Sequence, residues 1–132
     1  MYMNKITILL VGLFIVSCDP LFHDDFIIVN NCDDDVNISV IHQNGDEQLF
    51  DVRSHSEIIF FSDEWVGGKS NSEKINIIFK IITVTKDNIV SKINYVDSSL
   101  WRKENVEDSR RNKYYINVKY YLTIYPEDFK NE

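Results

Sequence analysis

Alternation of apolar and polar positions runs through most of the chain beyond residue 25, and it predicts strands. In residues 36–42 (VNISVIH), Val36, Ile38 and Val40 share one face. Residues 114–125 (YYINVKYYLTIY) alternate over their whole length. Tyr114, Ile116, Val118, Tyr120, Leu122 and Ile124 fall on one side, and Tyr115, Asn117, Lys119, Tyr121, Thr123 and Tyr125 on the other. At roughly 3.3 Å per residue that strand reaches about 40 Å, long enough to predict a bend or bulge before Pro126 stops it. Residues 26–30, 48–53, 56–61 and 89–95 read as further strands. In residues 74–85, Ile75, Ile77, Phe79 and Ile81 line one face while Ile78, Ile82 and Val84 make the other partly apolar, as in a strand covered on both sides.

The connections fit this reading. Residues 31–35 (NCDDD) form a polar turn, and Asn44-Gly45 is a hairpin signal because both residues tolerate positive φ. Residues 86–88 turn the chain again. Residues 63–73, with Gly67 and Gly68 adjacent, read as a loop. Residues 97–113 are the polar outlier, with a short helix predicted near 100–108. About seven strands at hairpin spacing predict an all-β fold, a small antiparallel β-sandwich of immunoglobulin-like or related type; a closed β-barrel is the alternative. Composition agrees, since alanine is absent and isoleucine, valine, tyrosine and phenylalanine fill the apolar positions.

The N-terminus breaks the pattern. One charge, Lys5, precedes an apolar run over residues 6–16. A membrane-spanning helix needs roughly 20 such residues, and Asp19 and Pro20 end this run early. A charged start, a short apolar middle and a small residue at the end describe a secretory signal peptide over residues 1–17. Removing 17 of 132 residues leaves 115, one domain of ordinary size. Residues 18–25 read as an acidic tether and residues 26–132 as the domain.

Charge and chemistry narrow the function mainly by exclusion. The formal net charge is −7, and loss of Lys5 makes it −8. Such acidity excludes nucleic acid as a partner and disfavours peripheral binding to anionic lipid. "GGKS" at residues 67–70 lacks the earlier glycine of a phosphate-binding loop, Asp63 standing there instead. His23, His42 and His55 lie on separate elements, without the spacing of a zinc site. Asp33, Asp34 and Asp35 lack the alternation and glycine of a calcium loop and read as a solvated turn. Asp63 with Glu64, and Glu127 with Asp128, are read as surface charge rather than glycosidase carboxylates. No catalytic residue, metal site or cofactor is expected. The aromatics stand out more. Trp65 and Trp101 sit in polar segments, and Tyr115, Tyr121 and Tyr125 stripe the second face of the last strand. These five form the candidate binding surface, for stacking on sugar rings or anchoring a protein; the alternative is that they pack within the sandwich.

Ile15-Val16-Ser17-Cys18 resembles the lipobox of bacterial lipoproteins. The resemblance implies cleavage before Cys18, a diacylglycerol on its thiol and an acylated amino group, leaving Cys32 as the one free thiol. With the signal, the "IIVNNCDDDVNISV" stretch and the tyrosine-rich strand ending in "TIYP", the chain resembles the small β-sandwich lipoproteins of Bacteroides-type bacteria. Many of those carry serine or threonine where Cys32 stands. The resemblance implies a place, the bacterial cell envelope, at the outer membrane and facing the periplasm or the surface. It does not supply an activity. The expectation is therefore a non-enzymatic, lipid-anchored binding or structural module with a protein or glycan partner. The alternative is an acidic inhibitor of a cationic hydrolase such as lysozyme.

Overall fold

The computed structural model describes residues 21–66, 74–107 and 115–130. Within them lie eight strands: β1 (Leu21–Asn30), β2 (Val36–His42), β3 (Glu47–Val52), β4 (Glu57–Val66), β5 (Phe79–Lys86), β6 (Ile89–Val90), β7 (Trp101–Glu107) and β8 (Tyr115–Ile124). One helical turn, α1 (Lys74–Ile78), precedes β5. The strands form two four-stranded sheets, ordered β4-β1-β8-β7 and β3-β2-β5-β6. This is the expected all-β sandwich, open at its edges rather than closed into a barrel. No helix among the described residues is long and apolar enough to cross a membrane.

The core lies between the inward faces. Phe22, Phe26 and Ile28 of β1 and Val118, Tyr120, Leu122 and Ile124 of β8 face Val36, Ile38 and Val40 of β2 and Phe79, Ile82 and Val84 of β5, all buried. One pairing departs from the expected antiparallel pattern: β1 and β8 run parallel, in register from Leu21 with Tyr115 to Asn30 with Ile124. A β-bulge breaks the β1–β4 ladder between Phe26 and Ile27, because Phe26 faces Phe61 while Ile27 faces Ile59. The intervening Phe60 turns inward and is buried.

Five local expectations are corrected. The tether stops short of residue 25, because residues 21–25 belong to β1. There Phe22, Asp24 and Asp25 are buried, since the strand is central and has neighbours on both sides. The loop expected at 63–73 starts later, because residues 63–66 extend β4. The strand expected from residue 74 starts at Phe79. The apolar run also fits helical spacing, and α1 buries Ile75 while leaving Ile77 exposed. The helix expected near 100–108 is instead β7, a sheet-edge strand whose polar residues are solvated while its backbone pairs with β8. Of the strand expected over 89–95, only Ile89 and Val90 pair, with β5.

Two polar clusters fix the ends of the strands. In the hairpin between β2 and β3, Gly45 adopts φ 95° and the Asn44 side chain accepts a hydrogen bond from the Asp46 N–H. Near the C-terminus, the buried Tyr95 hydroxyl bonds to Ser91 Oγ at 2.8 Å and donates to Asp128 Oδ2 at 3.0 Å. Burial, with the Asp128 carboxylate beside it, holds that phenol well above its ordinary pKa. The Pro126–Phe129 turn is thereby docked on the sandwich, with Phe129 buried under Lys86, whose Nζ lies 4.9 Å from the ring centre.

Candidate binding groove

The sheet order leaves two free edges side by side, β3 of one sheet and β4 of the other. The floor between them is apolar, with the Phe50 and Phe60 rings stacked at 5.5 Å and Ile58 beside them. Gln48 bridges the seam. Its Nε2 donates to the Phe60 carbonyl at 3.0 Å, and its Oε1 lies 2.6 Å from His42 Nε2. The carbonyl partner fixes which end of the amide is nitrogen, so His42 Nε2 must carry the proton it shares with Gln48. The His42 ring rests against Phe61 and Phe79, with centroids at 5.0 and 5.4 Å.

Two open cavities meet at Gln48. One, of about 330 Å³, is lined by Gln48, Leu49, Phe50, Ile58, Ile59 and Phe60. The other, of about 680 Å³, continues past His42, Phe61, Ile77 and Ile78 to Asp46 and Glu47. Large apolar side chains stand exposed along this line: Leu49 at 74%, Ile59 at 54% and Ile77 at 70%. Carboxylates accompany them. β3 carries Glu47 and Asp51, and β4 carries Glu57, Asp63 and Glu64, with neither lysine nor arginine in either strand. The nearest cation in sequence, Arg53, follows β3 in the turn.

The five aromatic candidates do not form one surface. Trp101 is a core residue, 9% exposed, with its indole N–H donating to the Tyr95 carbonyl at 2.8 Å and its ring parallel to Phe79 at 6.2 Å. It leaves the candidate surface because β7 pairs with β8 and turns this side chain inward. Tyr121 is half-buried on the outer face of β8, with the Arg102 guanidinium 4.4 Å above its ring. Tyr125, 47% exposed, follows β8 beside the C-terminal turn. Trp65 is paired with Phe22 and Tyr115 with Leu21 in the ladders, but their side chains lie outside the described residues. So do Cys18, the signal segment and the glycine pair. Cys32 is buried, its Sγ 3.8 Å from the Ile124 carbonyl, and burial raises its pKa above the ordinary thiol value. A buried, protonated thiol is a poor nucleophile.

One cluster contains the residue types of a hydrolytic triad without its wiring. Ser62 Oγ donates to Asp25 Oδ1 at 2.7 Å, and His23 Nε2 faces the same oxygen at 2.8 Å. His23 Nδ1 faces Glu64 Oε1 at 3.1 Å. Both ring nitrogens are thus directed at carboxylates, and neither faces the serine oxygen, so the imidazole is not placed to activate it. The cluster is a polar ladder between β1 and β4. Burial alone would lower the His23 pKa; hydrogen bonds and charge from Glu64 and Asp25 outweigh it and raise the pKa. The raised folded-state value adds stability that is fully present below the unfolded histidine pKa of about 6.5. That stability is lost as pH rises through the folded value. Urea unfolding of the native chain and of His23→Gln is expected to show this loss in the first and a flatter profile in the second over that interval.

Comparison of the chain with family models, with curated proteins and with solved structures finds no match. The groove and its chemistry therefore carry the functional reading.

Proposed function

We propose that this chain is a lipid-anchored, non-enzymatic binding module of the bacterial cell envelope. It is held on a membrane by acyl chains on Cys18 and meets a protein or glycan partner through the β3–β4 seam. The observation that carries the binding reading is the exposed apolar line Leu49, Ile59 and Ile77 beside two cavities that share Gln48 in their walls. Exposed apolar surface of this kind is costly to leave in water and marks interaction sites. The anchor rests on the Ser17-Cys18 pattern. Leu21, the start of β1, lies three residue steps beyond Cys18, and extended chain covers at most about 3.6 Å per step. A lipidated Cys18 therefore holds the Leu21 and Val66 end within about 11 Å of the headgroups. The seam then runs up the side of the domain, open to a partner in the aqueous layer.

Two measurements test this. Intact mass spectrometry of the protein from its native envelope, beside a Cys18→Ala variant, is expected to give a mature N-terminus at Cys18 carrying two or three acyl chains. An unmodified chain would overturn the anchor. A photocrosslinking residue at Leu49 is expected to give a discrete adduct in intact cells that the same residue at exposed Lys92 does not; silence at both would overturn the binding reading. The acidic seam also favours a second reading, inhibition of a cationic hydrolase such as lysozyme, which assays of that enzyme at low and high salt would expose.

A further inference from the structure

We infer that the seam receives an extended, basic-apolar polypeptide segment that adds as a strand beside β4. This inference rests on the binding reading above and names the partner's chemistry. Three observations converge on it. First, β4 is a ten-residue sheet-edge strand with no ladder partner on its outer side among the described residues, so its backbone N–H and C=O groups offer a template for an added strand. Gln48 Nε2 already makes one such contact, to the Phe60 carbonyl. Second, the groove has a strand's own period. Phe50, Ile58 and Phe60 make an apolar floor, while the outward positions carry Glu47, Leu49 and Asp51 on β3 and Glu57, Ile59 and Glu64 on β4. A guest strand sends alternate side chains to opposite faces. Its apolar residues would meet the floor and its basic residues the flanking carboxylates. Third, β4 disfavours a second copy of itself. Antiparallel self-pairing centred on its two phenylalanines sets Glu57 opposite Glu64, a like-charge pair.

The test uses the full chain in nanodiscs of zwitterionic lipid, with empty nanodiscs as blank. The probe is a fluorescent peptide of about ten residues alternating lysine and valine, matched to the length of β4. Its acidic counterpart alternates glutamate and valine, and a neutral one threonine and valine. We expect anisotropy to show the basic peptide binding at least about tenfold tighter than either counterpart at 50 mM salt, with the preference shrinking at 0.5 M salt. N-methylation of alternate residues is expected to weaken binding about tenfold by removing strand hydrogen bonds. Ile59→Lys and, separately, Leu49→Lys should each abolish binding; both sites are more than half exposed, and circular dichroism checks each fold. Equal binding of the acidic peptide, indifference to N-methylation, or indifference to both substitutions would overturn the inference. A neutral peptide or oligosaccharide that binds in a Leu49- and Ile59-dependent way would overturn it too, while leaving the binding module standing. Absence of any binding, with a silent Leu49 crosslinker, would remove both.

Discussion

Phe79→Ala is expected to lower the unfolding free energy by about 4 kcal/mol, the range for truncating a fully buried aromatic. Phe79 is the first residue of β5 and is 0% exposed. Its ring meets Phe26 edge-on at 5.1 Å, Phe60 at 5.3 Å and Phe61 edge-on at 5.7 Å, all from the opposing sheet. It also lies parallel to Trp101 at 6.2 Å and beside His42 at 5.4 Å. One ring thus joins β1, β4 and β7 of one sheet to β2 and β5 of the other. Truncation removes the transfer free energy of the ring and leaves a cavity that the surrounding aromatics cannot all collapse to fill. Equilibrium denaturation followed by far-UV circular dichroism measures the loss. A change below about 1 kcal/mol would mean that the sheets are not joined through this ring, since surface substitutions give values of that size.

The same cluster shows how far the sequence was legible. The inward residues of β2 and β8 follow from alternation, because each strand has one face on the core and one toward water. The Asn44-Gly45 hairpin follows from backbone conformation alone. The start of β1 does not, because Asp24 and Asp25 resemble turn residues when read singly. Both are nonetheless buried, and Asp25 is held by Ser62 and His23, of which Ser62 lies 37 residues away. Trp101 resembles an exposed aromatic because its sequence neighbours are polar; those neighbours are the solvated positions of an edge strand. α1 was hidden because Ile75, Ile78 and Phe79 satisfy the helical period as well as the apolar run satisfies a strand. The groove was the least legible feature. Leu49, Ile58 and Ile59 are unremarked members of ordinary strands until the sheet order sets both strands at free edges, side by side.

The second large effect is expected where the chain leaves the end of β1 and crosses to the other sheet. Asn30→Ala should cost about 3 kcal/mol, the sum of lost hydrogen bonds and of buried partners left unsatisfied. Asn30 ends β1 and is 1% exposed. Its Oδ1 accepts the Cys32 N–H at 2.9 Å, and its Nδ2 donates to the Asp34 carbonyl at 2.9 Å and the Val52 carbonyl at 3.0 Å. One amide therefore shapes the polar turn that carries the chain from one sheet to the other and ties that turn to the end of β3. The neighbouring Asn31 N–H bonds to the Ile124 carbonyl, adding β8 to the junction. Asn30→Asp separates shape from hydrogen bonding. Its carboxylate keeps the acceptor for Cys32 but sets a negative charge against two carbonyl oxygens in a buried site, which raises its pKa. Ionisation then opposes folding, so this variant should be the less stable of the two at pH 7 and should recover relative to Asn30→Ala as pH falls and the acid protonates. Urea unfolding of both variants at pH 4 and pH 7 measures the difference. A pH-independent gap between them would show that the amide acts through its volume rather than its two donated hydrogen bonds.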